Sequence, residues 1–315
     1  MTHILKNQEV SLSPGTSISG KWYQHRYQIV RKLGSGAIGT VYLAQSKQGF
    51  VALKIGPDPF AIASEANVLK RFSKVQGASL GPYFIEMDDW QKNRRHYTFY
   101  VMEYLQGQPF FSFLRKKGRE WIGLLVLQLL SDLEKLHEAG WVFGDLKPDN
   151  LLITESPPRI RWIDVGGTTQ IGRSIKEYTE FFDRGYWGLG SRKAEPSYDL
   201  FAVAMIFFNA AYPNRFKKTG EGLTLLEKKL KESDMLRGYE RLLMKAIRGQ
   251  YEKASHMRAD LVHHLNGSRV GRTRTSKRSR KNVDRKHKKS GWTETVLVVS
   301  FLLFFYLLYL VGNLF

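Results

Sequence analysis

The spacing of apolar and polar positions along the chain predicts a β-rich part followed by a helix-rich part. Short runs of β-branched and aromatic residues alternate with glycine-containing turns in the first hundred residues. Strands are predicted at 27–33, 40–45, 50–56, 83–87 and 97–103. Apolar positions at helical spacing predict helices at 62–72, 121–139, 200–211, 223–232, 239–247 and 257–265. This order indicates an α+β fold with a β-rich N-lobe and a helical C-lobe.

The last part of the chain has a different pattern from the two lobes. Residues 268–290 have no periodic apolar face, which predicts no regular structure for that segment alone. Residues 296–315 are uncharged, and as a helix they would span the roughly 30 Å hydrocarbon core of a bilayer. A buried helix of a soluble protein is the alternative, but such a helix is rarely apolar on every face. With Trp292 at the interface, the sequence predicts one transmembrane helix at 292–315.

The formal net charge of +20 is concentrated before the predicted membrane helix, where residues 268–289 hold eleven Lys or Arg and one acid, Asp284. Such a stretch keeps its side of a membrane helix in the cytoplasm and attracts anionic lipid. The same charges can neutralise DNA phosphates without reading bases, which is the second interpretation. The first residues lack a signal-peptide pattern. We therefore expect a single-pass protein of the cytoplasmic membrane, with its folded part in the cytoplasm.

Composition also narrows the chemistry that the chain can perform. There is no cysteine, which excludes disulfides, thiolate metal sites and a cysteine nucleophile. A glycine-rich run, Gly34-Ser35-Gly36-Ala37-Ile38-Gly39, lies between two predicted strands. Taken alone it could be a hairpin or a dinucleotide loop, but a strand follows it where a dinucleotide loop would be followed by a helix. Glycines let a backbone approach phosphates closely, so the run is a candidate phosphate-binding loop, with Val41 covering an adenine ring.

Lys54 lies inside an apolar predicted strand, and a buried ammonium is costly unless it is paired. Glu65, on the following predicted helix, is the candidate partner. The pair would leave Lys54 to hold the α- and β-phosphates of a nucleotide.

The run Gly144-Asp145-Leu146-Lys147-Pro148-Asp149-Asn150 carries the strongest chemical signal. Phosphoryl transfer needs positioning and charge neutralisation more than covalent help. Asp145 would orient the substrate hydroxyl, and Lys147 would neutralise the transferring γ-phosphoryl group. Asn150 and Asp164, the latter at the end of a predicted strand, offer hard oxygen ligands that suit Mg²⁺ or Mn²⁺.

These motifs, in this order, resemble the Hanks-type protein kinase domain, here over residues 26–267. The resemblance implies ATP as phosphate donor, protein Ser or Thr as acceptor, and a hinge after Met102 that hydrogen-bonds adenine. Residues 1–25 are then an N-terminal tail, 268–291 a basic juxtamembrane linker and 292–315 the membrane helix. The nucleotide-contacting residues implied are Leu33, Gly34, Ser35, Gly36, Ala37, Gly39, Val41, Ala52, Lys54, Glu103 and Leu105.

The segment 183–201 and the basic linker look like the YabT type of kinase from spore-forming bacteria. That resemblance implies a role in sporulation and a link to DNA. No domain is predicted outside the membrane, so we expect regulation from inside. Clustering on membrane or DNA would favour phosphorylation between the copies of a homodimer. Candidate autophosphorylation sites are Thr168, Thr169, Ser174, Tyr178 and Thr179.

The chain departs from the family pattern at several positions. Phe143-Gly144 replaces His-Arg before Asp145, which removes the arginine that contacts a phosphorylated activation segment. Asp164-Val165-Gly166 replaces Asp-Phe-Gly, and valine keeps the apolar role. We align Gly188-Leu189-Gly190 with Ala-Pro-Glu, which removes the usual Glu–Arg pair and leaves Arg258 to bond elsewhere, for example to Glu195. Two alternatives remain: a small-molecule phosphotransferase, or a degenerate domain that only tethers membrane to DNA.

Overall fold

The computed structural model describes residues 10–36, 38–72, 81–155 and 157–280, with the backbone alone after residue 267. The chain divides into two units, residues 1–264 and residues 265–315. The first unit holds both predicted lobes.

The N-lobe is built on an antiparallel sheet of six strands. They are β1 (Ser17–Ser19), β2 (Arg26–Ser35), β3 (Thr40–Ser46), β4 (Gly49–Gly56), β5 (Phe84–Lys92) and β6 (Arg95–Glu103), in the spatial order β1-β2-β3-β4-β6-β5. Apolar side chains from across this order, from Ile18 of β1 to Trp90 of β5 and including Leu53 of the central strand β4, meet in one buried core. The register pairs Lys54 of β4 with Val41 of β3 and Tyr100 of β6. Lys54 is therefore held in the centre of the sheet.

Helix α1 (Pro59–Phe72) lies against the sheet and carries Glu65. The Asp58 carboxylate accepts hydrogen bonds from the N–H groups of Phe60 and Ala61, at 2.9 and 3.2 Å. Proline at the first helical position has no N–H that would need a partner. The helix begins three residues before the predicted position, and this capping explains the earlier start.

The C-lobe is mainly helical, as the sequence predicts. Its helices are α2 (Phe110–Lys117), α3 (Trp121–Glu138), α4 (Arg184–Trp187), α5 (Pro196–Ala211), α6 (Gly222–Glu232), α7 (Asp234–Arg237), α8 (Glu240–Ile247) and α9 (Ala254–Arg280). Its short strands are β7 (Gln108–Pro109), β8 (Trp141–Val142), β9 (Leu151–Thr154), β10 (Arg159–Trp162) and β11 (Thr169–Gln170). Strands β10, β9 and β7 form one sheet, and β11 pairs with β8. Helix α5 is apolar on almost every face because neighbouring elements cover it on all sides.

The segment that the sequence predicts as an N-terminal tail packs against the core of the N-lobe from Val10 onward and joins the sheet at β1. Val10 and Leu12 are buried, and the Tyr42 hydroxyl links them. It donates to the Val10 carbonyl at 2.6 Å and accepts from the Leu12 N–H at 3.0 Å. Strand β1 then pairs with β2. Three apolar residues, Val10, Leu12 and Ile18, are enough to fasten this segment to the N-lobe.

The C-terminal prediction is only partly within the described residues. Helix α9 continues to Arg280, whereas the sequence predicts no regular structure at 268–290. Lys and Arg have high helix propensity, and extending an existing helix needs no new nucleus. Among the residues that the structure describes, no helix is long and apolar enough to cross a membrane. The predicted span at 292–315 lies outside them.

Candidate active site

The catalytic loop follows strand β8 and is organised by one buried carboxylate, Asp199, in the first turn of α5. Asp199 accepts hydrogen bonds from the backbone N–H groups of Phe143 and Gly144, at 2.8 and 3.0 Å. His137, at the end of α3, places Nε2 at 2.9 Å from the same carboxylate. The chain just before Asp145 is thereby tied to the two central helices of the C-lobe.

Asp145 and Lys147 are brought together with a third residue, Thr179. One carboxylate oxygen of Asp145 pairs with the Lys147 ammonium. The other accepts from the Thr179 hydroxyl at 2.9 Å, and that hydroxyl lies 3.0 Å from the Lys147 ammonium. The three groups form a closed polar cluster at the point where the catalytic loop meets the segment after Asp164. This gives both lone-pair-bearing oxygens of Asp145 a defined orientation.

Lys54 and Glu65 form the ion pair that the sequence predicts. The ammonium lies 2.6 Å from Glu65 Oε1, and both side chains are buried. The pKa of Glu65 is raised to about 7, chiefly by burial; the Lys54 charge opposes this shift and the Asp164 carboxylate adds to it. Glu65 Oε2 is buried without a hydrogen-bond partner among the described atoms. Lys54, Glu65 and Asp164 thus share one small region between the lobes.

The predicted metal ligands fit a magnesium ion. Burial alone would raise the pKa of Asp164, but Lys54 and the Gly166 N–H, 2.9 Å from its carboxylate, hold it below the ordinary value. The amide nitrogen of Asn150 donates to the Asp145 carbonyl at 2.9 Å, so its amide oxygen is the atom left to ligate a metal. No cluster of three or more His, Cys, Asp or Glu ligands occurs in the described part of the chain. Mg²⁺ in such sites takes one or two protein oxygens together with substrate phosphates, so this set suffices.

The glycine-rich run joins β2 to β3 as a hairpin. Gly34 and Ser35 pair with Val41 and Thr40, and the Gly36 N–H donates to the Gly39 carbonyl at 3.0 Å. A Cβ at Gly34 or Gly36 would meet nothing within 4 Å, so one side of the run is open. A Cβ at Gly39 would collide with the Ile55 carbonyl, which explains that glycine sterically. Ala37 lies outside the described residues.

The remaining nucleotide-contacting candidates lie on β2, on β4 and at or just after the end of β6. Ala52 is buried in β4 and Leu33 is partly exposed at the end of β2. Glu103 ends β6 and Leu105 is buried two residues later. The Glu103 carboxylate pairs with Arg161 of β10 at 2.8 Å, and the Arg161 guanidinium also donates to the Gly81 carbonyl at 2.8 Å. No motif in the sequence indicates this link between the hinge and the C-lobe.

Comparison with known proteins agrees with this geometry. The protein kinase domain model matches residues 27–277. The chain belongs to the protein kinase family. It is 50% identical over 264 residues to serine/threonine-protein kinase YabT of Bacillus subtilis, covering 83% of this chain and 78% of that one. It is also 31% identical over 150 residues to serine/threonine-protein kinase pkn2 of Myxococcus xanthus, covering 45% and 18%. Sporulation protein kinase mde3 of Schizosaccharomyces pombe is 30% identical over 151 residues, covering 44% and 26%.

The chain is similar to a serine/threonine kinase over most of the length of both proteins. We conclude that this protein is a serine/threonine-type protein kinase. Its main departure, Gly144, is built into the backbone. Gly144 has a φ of +84°, and a Cβ there would lie 2.6 Å from the Gly167 carbonyl. An arginine at this position would be strained and would collide with the segment after Asp164. The kinase therefore has a close backbone contact in the place of the usual arginine.

Two carboxylates hold the substrate-side segment of this kinase, residues 183–195. The first, Asp183, was not predicted from the sequence, and the second, Glu195, was predicted to have a different partner. Asp183 is fully buried and accepts from the N–H groups of Gly185 and Tyr186, from Arg192 and from the Tyr198 hydroxyl, at 2.8 to 3.0 Å. Glu195 pairs with the buried Arg184 at 2.6 Å. These two carboxylates fix both ends of the segment around α4.

The prediction that Arg258 bonds to Glu195 is wrong. Arg258 pairs with Glu134 of α3 at 3.2 Å, so it does bond elsewhere but to a different helix. Arg184 is the closer partner for Glu195 because both residues belong to the same compact segment, eleven residues apart. Arg258 thus does form a Glu–Arg pair, but with Glu134, a glutamate that no motif marks.

The five candidate autophosphorylation residues differ in access. Thr168 and Thr169 are fully buried, and the Thr169 hydroxyl donates to the Gly167 carbonyl. Thr179 is engaged by Asp145 and Lys147. Ser174 and Tyr178 are exposed, and the Arg192 guanidinium lies over the Tyr178 ring. Of the five, these two side chains are open to a second kinase molecule.

Proposed function

We propose that this kinase transfers the γ-phosphoryl group of ATP to serine or threonine of protein substrates, in a Mg²⁺- or Mn²⁺-dependent reaction. One observation carries the proposal: Lys54–Glu65, Asp145–Lys147–Thr179, Asn150 and Asp164 all lie around the cleft between the lobes. Phosphoryl transfer depends on positioning and on neutralising charge, and these groups supply both.

Each residue has a role that follows from its contacts. Lys54, oriented by Glu65, holds the α- and β-phosphates of ATP. Asn150 and Asp164 hold the metal ion, which neutralises phosphate charge when bound. Asp145 accepts the proton of the substrate hydroxyl, and Lys147 stabilises negative charge on the transferring group. The Thr179 hydroxyl, 2.9 Å from Asp145, keeps the segment that carries the substrate in line with the base.

The test is transfer of labelled phosphate from ATP by the full chain to a generic protein substrate, followed by phosphoamino-acid analysis. We expect label on serine or threonine that depends on Mg²⁺, and its loss in Asp145→Asn and Lys54→Met. Lys116→Met, an exposed lysine of α2, serves as the control. No transfer by the unmodified chain, with or without DNA and membrane, would favour the degenerate membrane–DNA tether. Transfer to small molecules alone would favour a small-molecule phosphotransferase.

We further propose that residues 292–315 anchor the kinase in the cytoplasmic membrane, with the kinase domain in the cytoplasm. The run of uncharged residues and the basic stretch before it support this topology. Membrane fractionation of cells expressing the full chain or a chain ending at residue 291 tests the anchor. We expect the full chain with the membranes and the shortened one in the soluble fraction; co-sedimentation of both would count against it.

The basic linker at 268–289 is the proposed point of regulation, through non-specific binding to DNA. Eleven basic residues with one acid support an anionic partner, and DNA phosphates or anionic lipid would both qualify. A variant in which the linker lysines and arginines are changed to glutamine keeps the predicted membrane helix and removes the positive charge of the linker. We expect it to lose stimulation by DNA. If anionic vesicles stimulate the unmodified chain and DNA does not, lipid is the partner; if neither does, the linker serves topology alone.

Clustering through the linker would bring two copies together and allow phosphorylation between them. Mixing the active chain with a tagged Asp145→Asn chain tests this, since label on the tagged chain requires transfer from the other copy. We expect that label at Ser174, which is exposed. We also propose a role in sporulation, on the resemblance to the YabT type of kinase from spore-forming bacteria, and unchanged spore counts after loss of the gene would count against it.

A further inference from the structure

A short run of cations follows helix α5 and packs against the substrate-side segment. Its charged members are Arg215, Lys217 and Lys218. Phe216, which lies between them in the chain, contacts the rings of Phe181 and of Trp187 in α4, with 5.3 and 5.8 Å between ring centres. Aromatic contacts of this kind hold the backbone on which the charges are carried. The cationic run, residues 215–218, is therefore fixed in place beside α4.

Arg215 is held from two sides. Its guanidinium pairs with the Asp149 carboxylate at 3.0 Å and lies 5.0 Å from the centre of the Phe182 ring. Its backbone has a φ of +54°, a left-handed conformation that Asn or Gly would adopt at a lower cost. Within the described part of the chain only its Nη2 atom donates a hydrogen bond, and 35% of the side chain is exposed. The guanidinium is thus oriented and still has donors to offer.

The two lysines of the cationic run carry charges that no carboxylate of the described residues neutralises. The Lys218 ammonium donates to the Tyr186 carbonyl at 3.0 Å, which fixes its position and leaves its charge unpaired. Lys217 is exposed and makes no hydrogen bond or ion pair within the described structure. Glu221, the nearest acid in sequence, accepts from the Thr224 hydroxyl instead. Three cations thus share one paired carboxylate, which leaves a positive potential at this surface.

The cationic run lies within reach of a bound substrate. Asp149 is four residues after Asp145 in the catalytic loop, and Phe182 is three residues after Thr179, whose hydroxyl lies 2.9 Å from Asp145. Four residues of extended chain span at most about 14 Å. The hydroxyl that receives phosphate lies at Asp145, so a substrate residue within about four positions of it can come close to Arg215.

We propose that Arg215, with Lys217 and Lys218, selects protein substrates that carry an acidic side chain near the phosphorylated serine or threonine. A carboxylate forms strong charge-assisted hydrogen bonds with a guanidinium, whereas a basic side chain is repelled by the three cations. Asp149 would by itself attract a basic side chain, but Arg215 neutralises it. The inference rests on the proposed transfer to protein substrates and names the class of substrate that the site prefers.

The experiment compares phosphoryl transfer by the full chain, in detergent with Mg²⁺ and ATP, among peptides that differ at one position. Each peptide has a single serine and carries Glu, Gln or Lys at one position, from four residues before the serine to four after it. At one or more positions we expect kcat/KM to be about tenfold higher for Glu than for Lys, with the difference in KM. Equal values for Glu, Gln and Lys at every position would overturn the proposal.

Failure of the proposed function gives a different result. Absence of transfer to every peptide and to a generic protein substrate would refute the proposed function, and the substrate preference with it. Transfer to all peptides without preference would refute the substrate preference alone.

Substitutions in the cationic run should remove the preference and keep the activity. Arg215→Gln should lower the ratio of Glu to Lys from about tenfold to about twofold, and Arg215→Lys should keep part of it. Lys217→Glu should lower the ratio about threefold through charge alone. Arg248→Gln is the matched control, because Arg248 also pairs with a partly exposed carboxylate, Glu227 at 2.8 Å, and should keep the full ratio.

The ratio separates recognition from a purely structural role of the pair between Arg215 and Asp149. If the pair only joined two loops, Arg215→Gln would lower the rate on all three peptides by one factor and leave the ratio unchanged, which would overturn the proposal. Lys217→Glu keeps the test decisive if Arg215→Gln does not fold. An unchanged ratio in Lys217→Glu, with weaker binding of a DNA duplex, would assign the cationic run to nucleic acid and would also overturn the proposal.

Discussion

The two sides of the active site are held by different means. On the nucleotide side, Lys54–Glu65 and Asp145–Lys147 are ion pairs between residues whose type the chemistry itself requires. On the substrate side, Asp183 and Glu195 hold a segment through backbone N–H groups and two arginines. The ion pairs of the nucleotide side need these particular side chains, because transfer from ATP depends on their charges. The substrate side only has to keep a backbone in place, and a different set of side chains can do that.

In this kinase the residues that take part in the chemistry are distinct from those that hold the backbone in place. Gly144 belongs to the catalytic loop but departs from the family pattern, and the arginine that it replaces contacts the activation segment and takes no part in the transfer itself. Asp145, one residue later, keeps its identity. Substitution of a catalytic residue should therefore lower the rate, whereas substitution of a supporting residue should lower stability.

The largest effect is expected for Asp145→Asn. Loss of the group that accepts the hydroxyl proton should lower kcat by about 10² to 10⁴, with the fold intact. Steady-state phosphoryl transfer with a protein substrate measures it, and circular dichroism checks the fold. Asp149→Asn is the matched control, because that carboxylate lies in the same loop but is exposed and paired with Arg215 at 3.0 Å. An equal loss in Asp149→Asn would show that the loop charge, and not the base, is being measured.

Asp183→Ala should have the largest effect on stability. It leaves two backbone N–H groups, the Tyr198 hydroxyl and Arg192 without their acceptor, at a cost of about 3 kcal/mol in the free energy of unfolding. Urea denaturation measures this. Asp234→Ala, whose carboxylate is exposed and pairs with Arg237, should change stability by about 0.5 kcal/mol or less. Equal effects would contradict the account of the substrate side.

A double-mutant cycle on Arg184 and Glu195 should give a smaller energy. One partner is buried and the other is partly exposed, so we expect a coupling of about 1 kcal/mol. The cycle on Arg258 and Glu195 should give none, because Arg258 pairs with Glu134. Coupling between Arg258 and Glu195 would restore the partner that the sequence suggested.

The smallest effect is a pH dependence. The hydrogen bond from Arg184, opposed by burial and helped by a hydrogen bond from Ser197, holds the pKa of Glu195 below its ordinary value of 4.5. Glu195 therefore contributes stability that is present above pH 4.5 and is lost as the pH falls through the lowered pKa of the folded protein. Unfolding measured at about pH 6 and about pH 4 should show a smaller loss for Glu195→Gln than for the unmodified chain. A larger loss in the variant would have the wrong sign.

The sequence predicted the two-lobed fold and the nucleotide side well because short motifs and hydrophobic periods encode them. Lys54, Glu65 and Asp145 are placed by elements whose pattern is local. No motif marks Asp199, although an acid at the start of the apolar run 200–211 is costly to bury without partners and was a usable signal. The pairings of Arg184 and Arg258 could not be predicted, since several acids and arginines of the C-lobe were equally compatible with the sequence. Tertiary packing alone selects among them.

The most direct test of the role of Asp145 is kinetic analysis of Asp145→Asn beside Glu195→Gln, with Mg²⁺, ATP and one protein substrate. Asp145→Asn should lower kcat by about 10² or more while the KM for the protein changes little. Glu195→Gln should raise the KM for the protein and leave kcat nearly as it was. Phosphoryl transfer by Asp145→Asn at the unmodified rate would contradict the central claim that Asp145 is the catalytic base of this kinase.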